Sequence, residues 1–92
     1  MNRLTQKLEK LRKENKKALV AYLVAGDPDL DSTLEIMHLF VESGVDIIEV
    51  GVPVTDPISE WPIIQRAHDR AIRKKVSLED IFTLIEKFRS ID

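Results

Sequence analysis

The sequence predicts an α/β fold with parallel strands, and three observations carry that expectation. Two short apolar runs, Ala18–Ala25 and Asp46–Val52, are too brief for helices and have the length of buried strands. The segments around them carry apolar residues at 3.6-residue spacing, as amphipathic helices do. The second run, Ile47-Ile48-Glu49-Val50, is nearly continuous rather than alternating, which suits a parallel strand covered on both faces. Strand, helix and strand in that order make one right-handed βαβ unit.

The elements follow in order. Leu4, Leu8 and Leu11 stand at i, i+4 and i+7 among charged residues, a narrow stripe for a packing helix over 2–14. The basic residues Arg12, Lys13, Lys16 and Lys17 suit a solvated helix C-terminus. A strand over 18–25 follows and ends at Gly26-Asp27-Pro28. Asp31 and Ser32 are expected to cap a helix over 31–43, Ser32 with Glu35 at capping-box spacing. Gly44 stands where a left-handed residue closes such a helix. The second strand spans 46–52 and gives way to a loop over 53–61, stiffened by Pro53 and Pro57. Pro62 suits the first position of a helix over 62–74. Ser77 and Asp80 have capping-box spacing for a last helix over 78–90, with Leu78, Ile81, Phe82, Ile85 and Phe88 on its apolar face. Lys74-Lys75 lacks a glycine between the last two helices, so these are expected either to stay separate or to fuse.

Composition bounds the function. Ninety-two residues make a single domain, 43% apolar and 33% charged, with net charge −2. That balance gives no reason to expect a nucleic-acid or anionic-membrane partner. No apolar run approaches the roughly 18 residues of a membrane span. The sequence has no cysteine, which removes disulfides and thiolate chemistry and is compatible with a cytoplasmic setting. No metal or cofactor site is expected, because His38 has no second ligand at a workable spacing. His38 is read as a surface or boundary residue and His68 as exposed.

Glu49 is the chemical candidate. Enclosure among isoleucine and valine would favour its protonated form, which suits a general acid or base. Tyr22, the polar-tipped residue of the first strand, reads as a core tyrosine whose hydroxyl finds a local partner.

The pattern Ile48-Glu49-Val50-Gly51-Val52-Pro53, then Asp56-Pro57, Pro62 and Gln65, with Gly26-Asp27-Pro28 upstream, resembles the tryptophan synthase alpha chain family. The resemblance runs from the first helix to about Arg89. It implies a partial (β/α)8 TIM barrel: a leading helix and the first two β/α units, since a full barrel needs about 250 residues. It also implies the family's reaction, retro-aldol cleavage of indole-3-glycerol phosphate to indole and glyceraldehyde 3-phosphate, with Glu49 moving protons. Tyr22 then acquires a second reading as an aromatic contact to the indole ring. The family's second catalytic carboxylate, an aspartate in an Asp-Gly-Pro turn, corresponds to Glu60 in Glu60-Trp61-Pro62. The acid is one methylene longer, and Trp61 stands in place of a glycine. Val54, Thr55 and Ser59 also depart from the family's usual Phe, Ser and Ala. These changes gather in the loop that in the family touches the beta chain, where Pro53, Asp56, Pro57 and Trp61 are the candidate partner contacts.

Two parallel strands do not make a stable sheet alone. The expectation is therefore an engineered or truncated barrel fragment, completed by self-association as a homodimer or higher oligomer through edge pairing or segment exchange. Trp61 reads as an apolar anchor of that contact or as an exposed loop aromatic. Without the later strands, such a fragment is expected to lack turnover.

Overall fold

The computed structural model describes residues 2–54 and 61–91. In chain order these form α1 (Arg3–Lys13), β1 (Val20–Val24), α2 (Leu30–Glu42), β2 (Ile47–Gly51), α3 (Pro62–Arg73) and α4 (Leu78–Ile91). The strands pair in parallel with Val20 beside Ile47, Tyr22 beside Glu49 and Val24 beside Gly51. The ladder extends past both ends. Asp46 N–H donates to the Leu19 carbonyl, and Ala25 N–H to the Gly51 carbonyl, both at 2.9 Å.

Side chains of a strand alternate between faces, and the two faces of this sheet differ sharply. Leu23, Ala25, Ile48 and Val50 face a core supplied by Met37 and Leu34 of α2 and by Ile81, Leu84, Ile85 and Phe88 of α4. His38 sits at the edge of this core with its ring 4.9 Å from that of Phe88. Among the described residues the opposite face is covered only at one end, where Ile64, Ala67 and Ala71 of α3 pack on Val24. Val20 and Tyr22 of that face are exposed. The strand composition that reads as covered on both faces is thus covered on one. The radius of gyration, 14.3 Å, exceeds the roughly 12 Å of a close-packed domain of this length, as an open slab requires.

The joints follow from local chemistry. Asn2 caps α1 by accepting the Thr5 N–H at 2.8 Å. Of the leucine stripe on α1 only Leu11 is buried; Leu4 and Leu8 are exposed. The cap of α2 corrects the sequence expectation: it is Asp29, whose Oδ1 accepts the Ser32 N–H at 2.7 Å, not Asp31 or Ser32. Thr33 secures the same turn. Its hydroxyl donates to the Asp29 carbonyl at 2.8 Å and accepts the Gly26 N–H at 3.0 Å. Gly26 has φ +91° and lies so close to Val76 that a Cβ there would overlap that side chain. Gly44, at φ +96°, closes α2 as the left-handed residue past a helix end does. Helices α3 and α4 stay separate: Lys75 takes φ +56° in glycine's place. Ser77 and Asp80 form the reciprocal box that starts α4, Ser77 N–H to Asp80 Oδ2 at 2.9 Å and Asp80 N–H to Ser77 Oγ at 3.1 Å.

Candidate active site

Two of the candidate residues, Tyr22 and Glu49, stand at mid-strand on the open face of the sheet. Tyr22 and Glu49 are register partners on neighbouring strands, so their side chains project side by side from the same face. One step further along, the Tyr22 ring lies over Gly51. A methyl group on Gly51 would overlap the phenol hydroxyl and ring carbons. Gly51 therefore leaves room for an aromatic at Tyr22, and the pair is fixed by backbone register plus this close approach. Tyr22 is also half open to solvent, which corrects its reading as a core tyrosine.

Glu49 is exposed, which corrects the enclosure expected from its apolar neighbours. Those neighbours, Ile48 and Val50, point to the opposite, helix-covered face. The physical cause is alternation: a near-continuous apolar run hides the fact that Glu49 shares its face with Ile47 and Gly51 alone. Pro53 is half-buried just beyond β2. Trp61 occupies the N-cap position of α3, makes no side-chain cap bond, and is 80% exposed. Asp56, Pro57 and Glu60 lie outside the described residues.

Three joints hold the frame of this site. Arg70 of α3 forms a bidentate ion pair with Asp27, Nε to Oδ1 at 2.6 Å and Nη2 to Oδ2 at 3.0 Å. The paired carboxylate holds the Arg70 guanidinium above its ordinary pKa. Thr33 holds Gly26, as described. His68 of α3 accepts the Val54 N–H on Nδ1 at 3.1 Å. His68 is 3% exposed, which corrects its reading as an exposed residue. Sequence reasoning missed all three. The Arg70–Asp27 pair spans 43 positions and leaves no local trace. His68 did leave one: Ile64, His68 and Ala71 stand at i, i+4 and i+7, the period of the buried stripe.

At the other end of the sheet Asp46 makes a fourth joint. Its Oδ2 accepts the Leu19 N–H at 2.8 Å, and Oδ1 lies 3.2 Å from Lys7 Nζ of α1. The Leu19 N–H first, and Lys7 second, hold the Asp46 carboxyl below the usual carboxylate range. A recess of about 670 Å³ opens beside β2 there, floored by Met37, Ile48, Val50, Ile85 and Phe88. None of the described candidate site residues lines it. Among the described residues, no group of three His, Cys, Asp or Glu side chains is placed to hold a metal ion. No described helix is long and apolar enough to cross a membrane.

A carboxylate and a phenol side by side on adjacent parallel strands, with the other face of the sheet packed under helices, define the opening segment of a (β/α)8-barrel protein. Residues 8–92 match the family model of the tryptophan synthase alpha chain. A tryptophan synthase alpha chain of Thioalkalivibrio sulfidiphilus is 45% identical over 92 residues, which cover 100% of this chain and 35% of the relative. The crystal structure of tryptophan synthase subunit alpha from Legionella pneumophila matches 100% of this chain and 35% of its own, with TM-score 0.97 and 42% identity. Tryptophan synthase from M. tuberculosis in its aminoacrylate-bound form matches 94% of this chain, with TM-score 0.86 and 41% identity. The chain belongs to the tryptophan synthase alpha chain family. It spans about a third of the length of the curated relatives it matches.

Proposed function

We propose that these 92 residues supply one sector of the mouth of an indole-3-glycerol phosphate lyase, and that as a polypeptide on their own they self-associate and do not turn the substrate over. The observation that carries this reading is the pairing of Tyr22 with Glu49 on an otherwise open sheet face. In the family's reaction Glu49 would move protons and Tyr22 would contact the indole ring. Glu60 is the counterpart of the second carboxylate. Catalysis needs more than these groups. A carboxylate that faces water gains little effective molarity and no water exclusion.

The open face and the free edges of β1 and β2 favour self-association, because unpaired strand edges and apolar faces recruit further chains. The changed turn Glu60-Trp61-Pro62 is consistent with an engineered or redirected loop, with Trp61 as its apolar contact. A contact of Pro53, Asp56, Pro57 and Trp61 with a beta chain belongs to the reading of the family's complex. A cytoplasmic setting rests on the cysteine-free composition.

Indole release from indole-3-glycerol phosphate tests the catalytic half. The isolated polypeptide is expected to give no signal above buffer. Mixing it with a polypeptide carrying the later two-thirds of a relative is expected to raise the rate, and Glu49→Gln to abolish the gain. Turnover by the isolated polypeptide, sensitive to Glu49→Gln, would instead establish a self-sufficient lyase. Sedimentation at micromolar concentration tests the other half, and a rigid monomer there would overturn it.

A further inference from the structure

The Val54 backbone N–H can only donate, so the Nδ1 that accepts it carries a lone pair. In the neutral ring the proton then sits on Nε2. That Nε2 is itself buried and has no hydrogen-bond partner among the described residues. An unpaired buried donor is costly, and a leucine would pack the same space without that cost. What the imidazole offers and a leucine would not is the Nδ1 acceptor.

Nδ1 acts at a particular place. Val54 is three residues beyond Gly51, the last residue of β2, and is the final described residue before segment 55–60. The helix that carries His68 is itself fixed. Two residues on, Arg70 grips Asp27, and Ala67 and Ala71 pack on Val24 of β1.

We infer that His68 is a positioning residue: its neutral, Nε2-protonated imidazole pins the chain at Val54 where it leaves β2, so that α3 fixes the end of β2 that follows Glu49. His68 acts through Val54 and touches no reacting group. The inference stands whether the polypeptide is active or inactive, monomeric or assembled.

The test uses the ¹⁵N-labelled 92-residue protein. A long-range ¹H–¹⁵N spectrum is expected to show Nδ1 of His68 as an unprotonated acceptor nitrogen at neutral pH. Amide exchange is then followed at Val54 and, as a control, at Ala71 in the middle of α3. His68→Leu is expected to speed Val54 exchange about tenfold, the net worth of an ordinary hydrogen bond. His68→Asn offers a side-chain oxygen close to the position of Nδ1 and is expected to restore protection to within about threefold of the parent. A protonated Nδ1 in the parent would overturn the inference. So would a His68→Asn protein that exchanges at Val54 as fast as His68→Leu while Ala71 stays protected. If His68→Leu loosens Ala71 as well, the tautomer and the His68→Asn result decide.

Discussion

Arg70 on α3 grips Asp27 in the turn after β1 through two parallel hydrogen bonds, at 2.6 and 3.0 Å. The pair fixes the helix over the mouth to the strand it covers. Fork-to-carboxylate geometry of this kind is specific to arginine, because an ammonium cannot form both bonds in one plane. Arg70→Lys is expected to lower the melting temperature modestly and to speed amide exchange along α3 more than along α4. Equal effects on the two helices would show that the pair contributes to global stability without docking α3.

The turn beneath that pair depends on Thr33, which is fully buried. Its hydroxyl satisfies the Gly26 N–H and the Asp29 carbonyl together. Thr33→Val keeps the shape and removes both bonds; the Asp29 carbonyl still accepts the residue-33 N–H, but the buried Gly26 N–H is left unpaired at about 1–3 kcal/mol. Thr33→Ser keeps the bonds and loses a methyl group, at about 1 kcal/mol. Urea unfolding is expected to rank the valine variant below the serine variant. The reverse order would mean that the methyl group, not the hydroxyl, holds the turn.

Gly26 offers a harsher change at the same turn. Alanine there would have to hold φ near +91° and overlap Val76. The left-handed backbone costs about 1–2 kcal/mol, and overpacking about 1–3 kcal/mol. Gly26→Ala is expected to destabilise clearly in urea unfolding, and Val76→Ala in the same chain to recover the packing part alone. Full recovery would show that backbone handedness does not limit this turn.

What the sequence revealed and what it hid divide along the range of each interaction. The left-handed Gly44 and the Ser77–Asp80 box are signals within three or four residues, and both are met in the structure. The α2 cap moved to Asp29 because three cap-forming residues stand close together, and the hydroxyl of Thr33 draws the helix start toward Asp29. Glu49 was legible as a strand residue. Its exposure was not, because face alternation is hidden in a run apolar on both sides of it. Arg70 drew no reading of its own, since nothing near it in sequence names Asp27. Asp46 looked like the start of a strand, whereas its carboxylate ties α1 and β1 together across 27 positions.

Three aspartates make acid the condition that should loosen this fold. Backbone N–H groups hold the Asp29, Asp46 and Asp80 carboxyls below the usual range: Ser32 for Asp29, Leu19 for Asp46 and Ser77 for Asp80. A carboxyl with a depressed pKa in the folded state contributes stability above its unfolded value, about 3.9. That contribution is lost as pH falls through the folded value. The melting temperature is therefore expected to hold between pH 7 and 5 and to fall below about pH 4. Asp46→Asn keeps an acceptor for Leu19 but loses the charge that faces Lys7, so its acid limb is expected to be shallower. An equal loss of melting temperature between pH 7 and 5 would implicate other groups.

Trp61 provides a direct optical check on association, because it is the sole tryptophan and is 80% exposed in the single chain. If it anchors a contact between copies, its emission is expected to shift to the blue as concentration rises and to return toward that of a water-exposed indole on dilution. Central aromatic anchors are worth about 2 kcal/mol or more, so Trp61→Ala is expected to weaken assembly by about thirtyfold. Sedimentation across a dilution series measures that change without relying on the fluorophore. A polypeptide that assembles equally well without Trp61 would place the contact elsewhere, on the open strand edges or on the face that presents Val20 and Tyr22. Val20→Thr would then weaken assembly where Trp61→Ala does not, and the pair of variants separates a loop-anchored contact from one made by the sheet.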